Sequence, residues 1–210
     1  TPDMALAVRK ITERACTRIA RTAFEIARGR RKKVTAVHKA NVMKVTDGLF
    51  LRCVRQVAEA FPDVALDDVI VDAAAALLVR DAARFDVIVT GNMFGDILSD
   101  LASELSGSLG LGASINAGDS TALAQAQHGS APDIAGKGIA NPSSLILSSA
   151  MLLDWLGTRR GERRLSEAAA AIERAVDAVL AVPEKRTRDL GGSAGTMAFA
   201  TAVADALATA

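Results

Sequence analysis

The stretch Asp86-Val-Ile-Val-Thr-Gly-Asn-Met-Phe-Gly-Asp-Ile-Leu-Ser-Asp100 joins a short apolar run to a longer segment of helical periodicity. The run 86–90 has the length and the β-branched content of a buried strand, and the spacing over 94–111 predicts a helix. Polar side chains at such a junction would lie at the carboxyl end of a strand, where α/β proteins bind ligands. This stretch therefore indicates both the fold class and the place of a functional site.

Strand and helix patterns alternate along the rest of the chain as well. The apolar runs 34–37 and 69–71 predict two further buried strands, with a helix over about 45–60 between them. Apolar residues at three- and four-residue steps predict a complete helix over 4–28. Further helices are predicted over 143–156, 162–180 and 195–207. The alternation predicts an α/β fold with crossover helices.

Composition narrows the class of protein. The 210 residues carry 25 basic and 24 acidic side chains, so the net charge of +1 gives no reason to expect nucleic acid or a membrane as partner. The basic run 28–33 could be a nucleic-acid patch or a solvated helix end, and the helix dipole favours the second. Cys16 and Cys53 lack CxxC spacing, which predicts two buried thiols in a reducing compartment. Because no signal peptide or spanning segment is recognisable, we expect a cytoplasmic protein.

Three carboxylates are candidates for a metal site. Asp96 and Asp100 are four residues apart on a predicted helix, so they are offset by only ~40° and project from one face. Two hard oxygen ligands so close together suit Mg²⁺ or Mn²⁺. An ordinary acidic first helical turn, favoured by the helix dipole, would have the same spacing. Asp72 ends the apolar run 69–71, so a strand would place it at the same sheet edge. A carboxylate there would be either a metal ligand or a partner in a salt bridge.

Two loops contain further candidate residues. Lys39 directly follows the predicted strand 34–37 and is either a surface lysine or a proton-transfer group. The loop 128–142 reads His-Gly-Ser-Ala-Pro-Asp-Ile-Ala-Gly-Lys-Gly-Ile-Ala-Asn-Pro, in which glycines let the backbone approach a bound group and prolines restrict it. Asp133 in this loop either binds a ligand or caps a turn. The glycines over 107–112 follow no strand and lack GxGxxG order, so no Rossmann phosphate loop is predicted.

Together, the segments 34–43, 89–100 and 128–142 resemble the isocitrate, homoisocitrate and 3-isopropylmalate dehydrogenase family of NAD-dependent β-decarboxylating dehydrogenases. The resemblance covers essentially the whole chain, as the C-terminal part of the family's chain. It implies an isopropylmalate dehydrogenase-like layered fold with a mostly parallel sheet and with its N-terminal part missing. It also implies that 1–105 is part of the central, dimerisation domain and that 106–210 is part of the cofactor-binding domain.

The resemblance also implies site residues. Lys39 would be the catalytic lysine, with Asn41 near the nicotinamide or a substrate carboxylate. Asp96 and Asp100 would bind Mg²⁺ or Mn²⁺, and Asp72 would reach across a homodimer interface into the neighbouring site. Asp133 would accept hydrogen bonds from the adenosine ribose of NAD and would repel the 2′-phosphate of NADP. The other NAD contacts implied are His128, Gly129, Ser130, Ala131, Ile134, Asn141 and Gln125.

The implied reaction is the metal-dependent oxidative decarboxylation of a 2-hydroxy acid that bears a 3-carboxylate. The segments 38–43 and 47–51 favour isocitrate or homoisocitrate, while 3-isopropylmalate, tartrate and malate stay open. Gln125 replaces a family glutamate, keeping its hydrogen-bonding shape and losing its charge. Because the chain has no Tyr and the family's substrate arginines precede it, we expect this chain alone to be inactive. The alternative is a non-catalytic subunit or truncated paralogue that keeps dimerisation, with or without nucleotide binding.

Overall fold

The structure is a computed structural model that describes residues 3–209. The chain divides into two compact units, Thr1–Leu101 and Ala102–Ala210. None of the helices in the described residues combines the length and the hydropathy needed to cross a membrane. The functional roles expected for 1–105 and 106–210 stay predictions.

The first unit alternates helices and strands around a parallel sheet. Its three strands are hydrogen-bonded in the order β2-β1-β3, and both neighbours run parallel to β1. The elements in chain order are α1 (Glu13–Arg28), β1 (Lys33–His38), α2 (Thr46–Ala58), β2 (Ala65–Ile70), α3 (Val71–Asp81), β3 (Val87–Thr90) and α4 (Asn92–Leu105). The α/β class and the parallel sheet predicted from the sequence are therefore confirmed.

Helices cover both faces of this sheet because β1 is apolar on both sides. Successive side chains of a strand point to opposite faces. Val34 and Ala36 pack in one core cluster with Phe24 of α1 and Val54 of α2. Val37 packs in a second cluster on the other face, with residues of α3 and α4. A strand buried on both faces reads as a continuous apolar run, which is why β1 could be predicted from its sequence.

The parallel arrangement brings the carboxyl ends of the three strands to one edge of the sheet. His38 lies opposite Ile70 in the register of β1 and β2, and Val37 lies opposite Thr90 in the register of β1 and β3. The segments that leave these strands begin with Lys39, Val71 and Gly91. The candidate residues that follow each strand therefore start from the same edge.

The second unit contains an antiparallel hairpin and a helical layer. The hairpin strands are β4 (Ala113–Ala117) and β5 (Ala122–Ala126), and the helices are α5 (Ser143–Arg160), α6 (Arg163–Leu180) and α7 (Thr196–Ala208). Val176 and Val179 of α6 form the core of this layer with Phe199 of α7. The hairpin was not predicted, because its alanine-rich strands have low β propensity.

Several sequence-based boundaries are wrong; the helix predicted over 143–156, for example, continues to Arg160. The helix predicted over 4–28 begins only at Glu13, because the Thr12 hydroxyl caps it by accepting a hydrogen bond from Ala15 N. The strand predicted to end beside Asp72 ends at Ile70, and Asp72 lies in the first turn of α3. The helix predicted to run to residue 111 ends at Leu105, because Gly107 adopts a φ of +134°, which helices exclude.

The two cysteines are free and buried, as predicted. Cys16 lies on α1 and Cys53 on α2. Burial, followed by the nearby Cys53 thiol, raises the pKa of Cys16. Cys16 is therefore a protonated thiol at neutral pH, which is typical of an inert core cysteine.

Candidate functional site

Lys39 stands in a tight turn directly after β1. Its backbone N–H donates to Asp47 Oδ2 at 2.7 Å, and its carbonyl oxygen accepts from Val42 N at 3.0 Å and Met43 N at 2.8 Å. The Lys39 side chain is 27 % exposed, so it is partly buried at the surface. Asn41 lies in the same turn and is exposed.

His38, just before this turn, has a defined tautomer. Its Nδ1 accepts from the backbone N–H of Ala40 at 2.9 Å. A backbone N–H can only donate, so Nδ1 carries no proton and the ring is the Nε2–H tautomer. The protonated Nε2 lies 3.2 Å from Asp68 Oδ2 and donates a hydrogen bond to it. The histidine is therefore held at both ends and is buried.

The amine of Lys39 forms an ion pair with a predicted metal carboxylate. Lys39 Nζ donates to Asp72 Oδ1, which starts from the neighbouring strand end. This hydrogen bond holds the pKa of Asp72 below its usual range, so the carboxylate stays charged in mild acid. The structure thus brings together two residues that lie 33 positions apart and that the sequence analysis assigned separately.

The other two carboxylates lie on α4. Asp96 and Asp100 are both exposed and are one helical turn apart, as the spacing predicts. Within residues 3–209, no group of three or more His, Cys, Asp or Glu side chains is arranged to hold a metal ion.

The loop 128–142 of the second unit has an open, glycine-lined side. His128 Nδ1 donates to the Gly129 carbonyl at 2.9 Å, and Ser130 is exposed. A left-handed Ala131, with φ of +42°, precedes a 3₁₀ turn, Pro132–Ile134, that presents Asp133 to solvent. A Cβ added at Gly129, Gly136 or Gly138 would meet no atom within 4 Å. A ligand could therefore approach this backbone closely.

The end of this loop is anchored by a residue that the sequence analysis missed. Asn141 is buried, and its Nδ2 donates to Asp189 Oδ2 at 2.9 Å while its Oδ1 accepts from Ser143 N at 3.0 Å. The Ser108 hydroxyl donates to the same Asp189 oxygen at 2.5 Å. Desolvation opposes the charge, but these hydrogen bonds outweigh it and hold the pKa of Asp189 below its usual range. The polar segment 187–192 was a weak signal for this role.

Gln125 lies on β5, where its side chain is exposed and its backbone is anchored to α5. Its carbonyl oxygen accepts from the Ser148 hydroxyl at 2.8 Å. Ser144, one turn earlier, accepts from Gln127 N at 3.1 Å. The buried serines of α5 therefore hold the strand that presents Gln125.

The fold and these sites define an α/β protein of a particular class. The carboxyl edge of a parallel sheet carries an amine, its carboxylate partner and a pair of carboxylates suited to a hard divalent cation. A separate loop offers exposed backbone and a carboxylate to a polar ligand. Over residues 1–207 the chain matches the family described as isocitrate/isopropylmalate dehydrogenase, and it belongs to that family.

Individual relatives agree with this assignment. The chain is 54 % identical over 206 residues to an isocitrate/homoisocitrate dehydrogenase of Thermus thermophilus, covering 98 % of this chain and 59 % of the relative. It is 52 % identical to a 3-isopropylmalate dehydrogenase of Archaeoglobus fulgidus, covering 98 % of this chain and 61 % of that protein. The crystal structure of isocitrate dehydrogenase from Methylococcus capsulatus superposes with a TM-score of 0.89 at 46 % identity, covering 99 % of this chain and 61 % of that one. The chain thus spans about three-fifths of these relatives' length, and the family resemblance is confirmed.

Proposed function

We propose that this protein, in its complete form, is an NAD- and Mg²⁺- or Mn²⁺-dependent dehydrogenase that oxidatively decarboxylates a 2-hydroxy acid bearing a 3-carboxylate. The observation that carries the proposal is the Lys39–Asp72 ion pair at the sheet edge from which the helix of Asp96 and Asp100 also starts. Isocitrate or homoisocitrate is the favoured substrate, consistent with the name of the Thermus relative. 3-Isopropylmalate, tartrate and malate are the other candidates.

The carboxylates fit a divalent metal ion when two copies of the chain share the site. Asp96 and Asp100 would supply two hard oxygen ligands from one protomer, and Asp72 would supply the third from its partner. Exposed apolar side chains beside Asp96, those of Met93 and Ile97, support a homodimer interface here. Bound there, the cation would supply Lewis acidity to the substrate oxygens.

Lys39 would handle the proton of the substrate hydroxyl. Nζ in its neutral amine form, which still donates a hydrogen bond to Asp72, or a water that the ammonium form polarises, would take this proton while hydride leaves for NAD. Asp72 holds the amine in place through the ion pair, so Nζ need not be oriented anew for each turnover. Asn41, exposed in the same turn, would contact the nicotinamide or a substrate carboxylate.

The loop 128–142 fits the adenosine half of NAD. Its open glycine-lined side would allow the backbone of His128, Gly129 and Ser130 to approach the coenzyme. Asp133 would accept hydrogen bonds from the ribose hydroxyls, and its charge would disfavour a 2′-phosphate. Ala131, Ile134 and Asn141 would shape the adenine side, and Gln125 would bond the nicotinamide ribose.

One observation favours a second candidate function, a non-catalytic subunit or truncated paralogue. Gln125 is exposed and neutral where the family resemblance implies a glutamate. Such a subunit would keep the dimer interface and could bind nucleotide without turnover. A cytoplasmic location also belongs to the proposal, and the free thiols of Cys16 and Cys53 support it.

The test is metal-dependent NADH formation by the complete protein with isocitrate, homoisocitrate, 3-isopropylmalate, tartrate and malate. We expect activity with at least one substrate and a preference for NAD over NADP. Asp96→Asn should abolish this activity and weaken Mn²⁺ binding at least about tenfold, because a neutral amide replaces an anionic ligand. Asp154→Asn, an exposed aspartate on α5, is the matched control and should change neither. Folded wild-type protein that is inactive with all five substrates would favour the non-catalytic subunit.

A further inference from the structure

Asp47 is a buried carboxylate that the proposed reaction leaves without a role. It lies in the first turn of α2, and its side chain is 2 % exposed. One oxygen, Oδ2, accepts from the backbone N–H of Lys39 at 2.7 Å. The other, Oδ1, accepts from the guanidinium of Arg9. A charge taken out of water is tolerated only when it is paired and hydrogen-bonded in this way.

Arg9 continues the contact towards the helix that carries the metal carboxylates. Its guanidinium lies over the ring of Phe94, 5.4 Å from the centroid, and Phe94 is buried in the first turns of α4. Its Nη2 would be 3.7 Å from a Cβ added at Gly91, just before α4. Its Nη1 also lies 3.8 Å from the sulfur of Met43, in the turn that follows Lys39. One guanidinium therefore contacts both the Lys39 turn and the start of α4.

An ion pair to a buried carboxylate is weak evidence that the pair contributes to stability. Replacing a buried ion pair by apolar residues of similar volume is often neutral or stabilising. The carboxylate does something that an apolar side chain cannot, because it binds the amide of the residue whose side chain reaches Asp72. Displacing that backbone by ~1 Å would carry Nζ by a similar distance, a scale of error that costs enzymes about a hundredfold in rate.

We infer that Asp47, supported by Arg9, is a positioning residue that fixes the backbone from which Lys39 projects. The inference rests on the proposed function for its effect on rate, whereas the effect on the backbone is independent of that function. Asp47 touches neither substrate nor coenzyme in this scheme, so its loss should lower kcat and spare binding.

The test compares Asp47→Asn with wild type in the complete protein. We expect kcat to fall about tenfold to a hundredfold, with the KM values for NAD and for the hydroxy acid changing less than about twofold. Amide hydrogen exchange over 39–43 should become at least about tenfold faster, because the Lys39 N–H loses a charged acceptor. Asp63→Asn is the matched control, since it breaks another Arg–Asp pair of the same unit, the exposed Arg28–Asp63 pair at 2.8 Å. It should leave kcat and this exchange unchanged.

The outcomes separate the inference from the proposed function. A folded D47N protein whose amide hydrogen exchange over 39–43 equals that of wild type would overturn the positioning role. An active D47N protein with the wild-type kcat would overturn it as well. An inactive wild-type protein would overturn the proposed function, and exchange would still decide whether Asp47 holds the turn. If D47N does not fold, Arg9→Lys tests the same contact, because lysine keeps the charge and loses the planar fork. A folded R9K protein must then show faster exchange over 39–43 for the inference to stand.

Discussion

At the residue scale, the carboxylate of Asp189 holds the end of the candidate coenzyme loop. It accepts hydrogen bonds from Asn141 and Ser108, which come from separate segments of the second unit. We expect Asp189→Asn to raise the KM for NAD and to leave kcat nearly unchanged, because Asn141 loses its charged partner while the reacting groups stay in place. Steady-state kinetics with varied NAD would measure this. Asp177→Asn, an exposed aspartate on α6, should change neither parameter.

The lowered pKa of Asp189 also predicts how stability depends on pH. A carboxyl group whose pKa is lower in the folded state stabilises the protein above the unfolded pKa of about 3.9, and this stabilisation is lost as the pH falls through the lower folded value. D189N should therefore be less stable than wild type at pH 7, with the difference shrinking below about pH 4. Urea midpoints at pH 7, 5 and 3.5 would show it. A difference that stayed constant over this range would mean that the carboxylate has an ordinary pKa.

At the scale of elements, hydroxyl groups join α5 to the hairpin. The Ser148 hydroxyl accepts from Ser114 N on β4 at 2.9 Å and lies within hydrogen-bond distance of the Gln125 carbonyl on β5. Ser148→Ala should lower the free energy of unfolding by about 1–3 kcal/mol, because it leaves buried backbone groups without their partner. Urea unfolding would measure the loss. The control is Ser149→Ala, since Ser149 is exposed and bonds only within its own helix, to Leu145 O; a loss within about 0.5 kcal/mol is expected.

Both hairpin strands are short and alanine-rich, which explains why this element escaped the sequence analysis. The pairing of Ala113–Ala117 with Ala122–Ala126 has little side-chain packing of its own. Buried Ser144 and Ser148 supply hydrogen bonds from α5 instead. Those contacts join residues 17 to 34 positions apart in the sequence, so no local pattern in the strands predicts them.

At the scale of the whole molecule, the proposed division of the metal site between two protomers can be tested by complementation. A dimer that combines one Asp72→Asn chain with one Asp96→Asn chain would have one intact site and one doubly altered site. Random mixing makes about half of the dimers mixed, so we expect about a quarter of the wild-type activity after subunit exchange. The assay is NADH formation before and after mixing the two inactive homodimers.

The matched control for this experiment mixes Asp96→Asn with Asp100→Asn. Both residues lie on α4 of the same chain, so neither site of a mixed dimer is intact. No activity should return. If the Asp72 and Asp96 variants also failed to restore activity after confirmed exchange, Asp72 would act within its own chain.

Local patterns of residue types along the sequence are enough to predict most helices and strands and the candidate residues at their ends. Apolar runs buried on both faces identify β1 and β3, and a four-residue spacing places Asp96 and Asp100 on one helical face. Boundaries failed where a single capping or left-handed residue decides them, as at Thr12 and Gly107. Periodicity does not encode such caps.

Only the folded molecule decides which of these residues meet. The contacts of Lys39 with Asp72, of Asp47 with Arg9 and of Asn141 with Asp189 join positions between 33 and 48 residues apart. A carboxylate has the same local sequence signal whether it faces solvent or a buried cation, since its partner is chosen by chain topology. Asp47 and Asp189 therefore look ordinary in the sequence and acquire a role only through burial and the donors that packing brings to them.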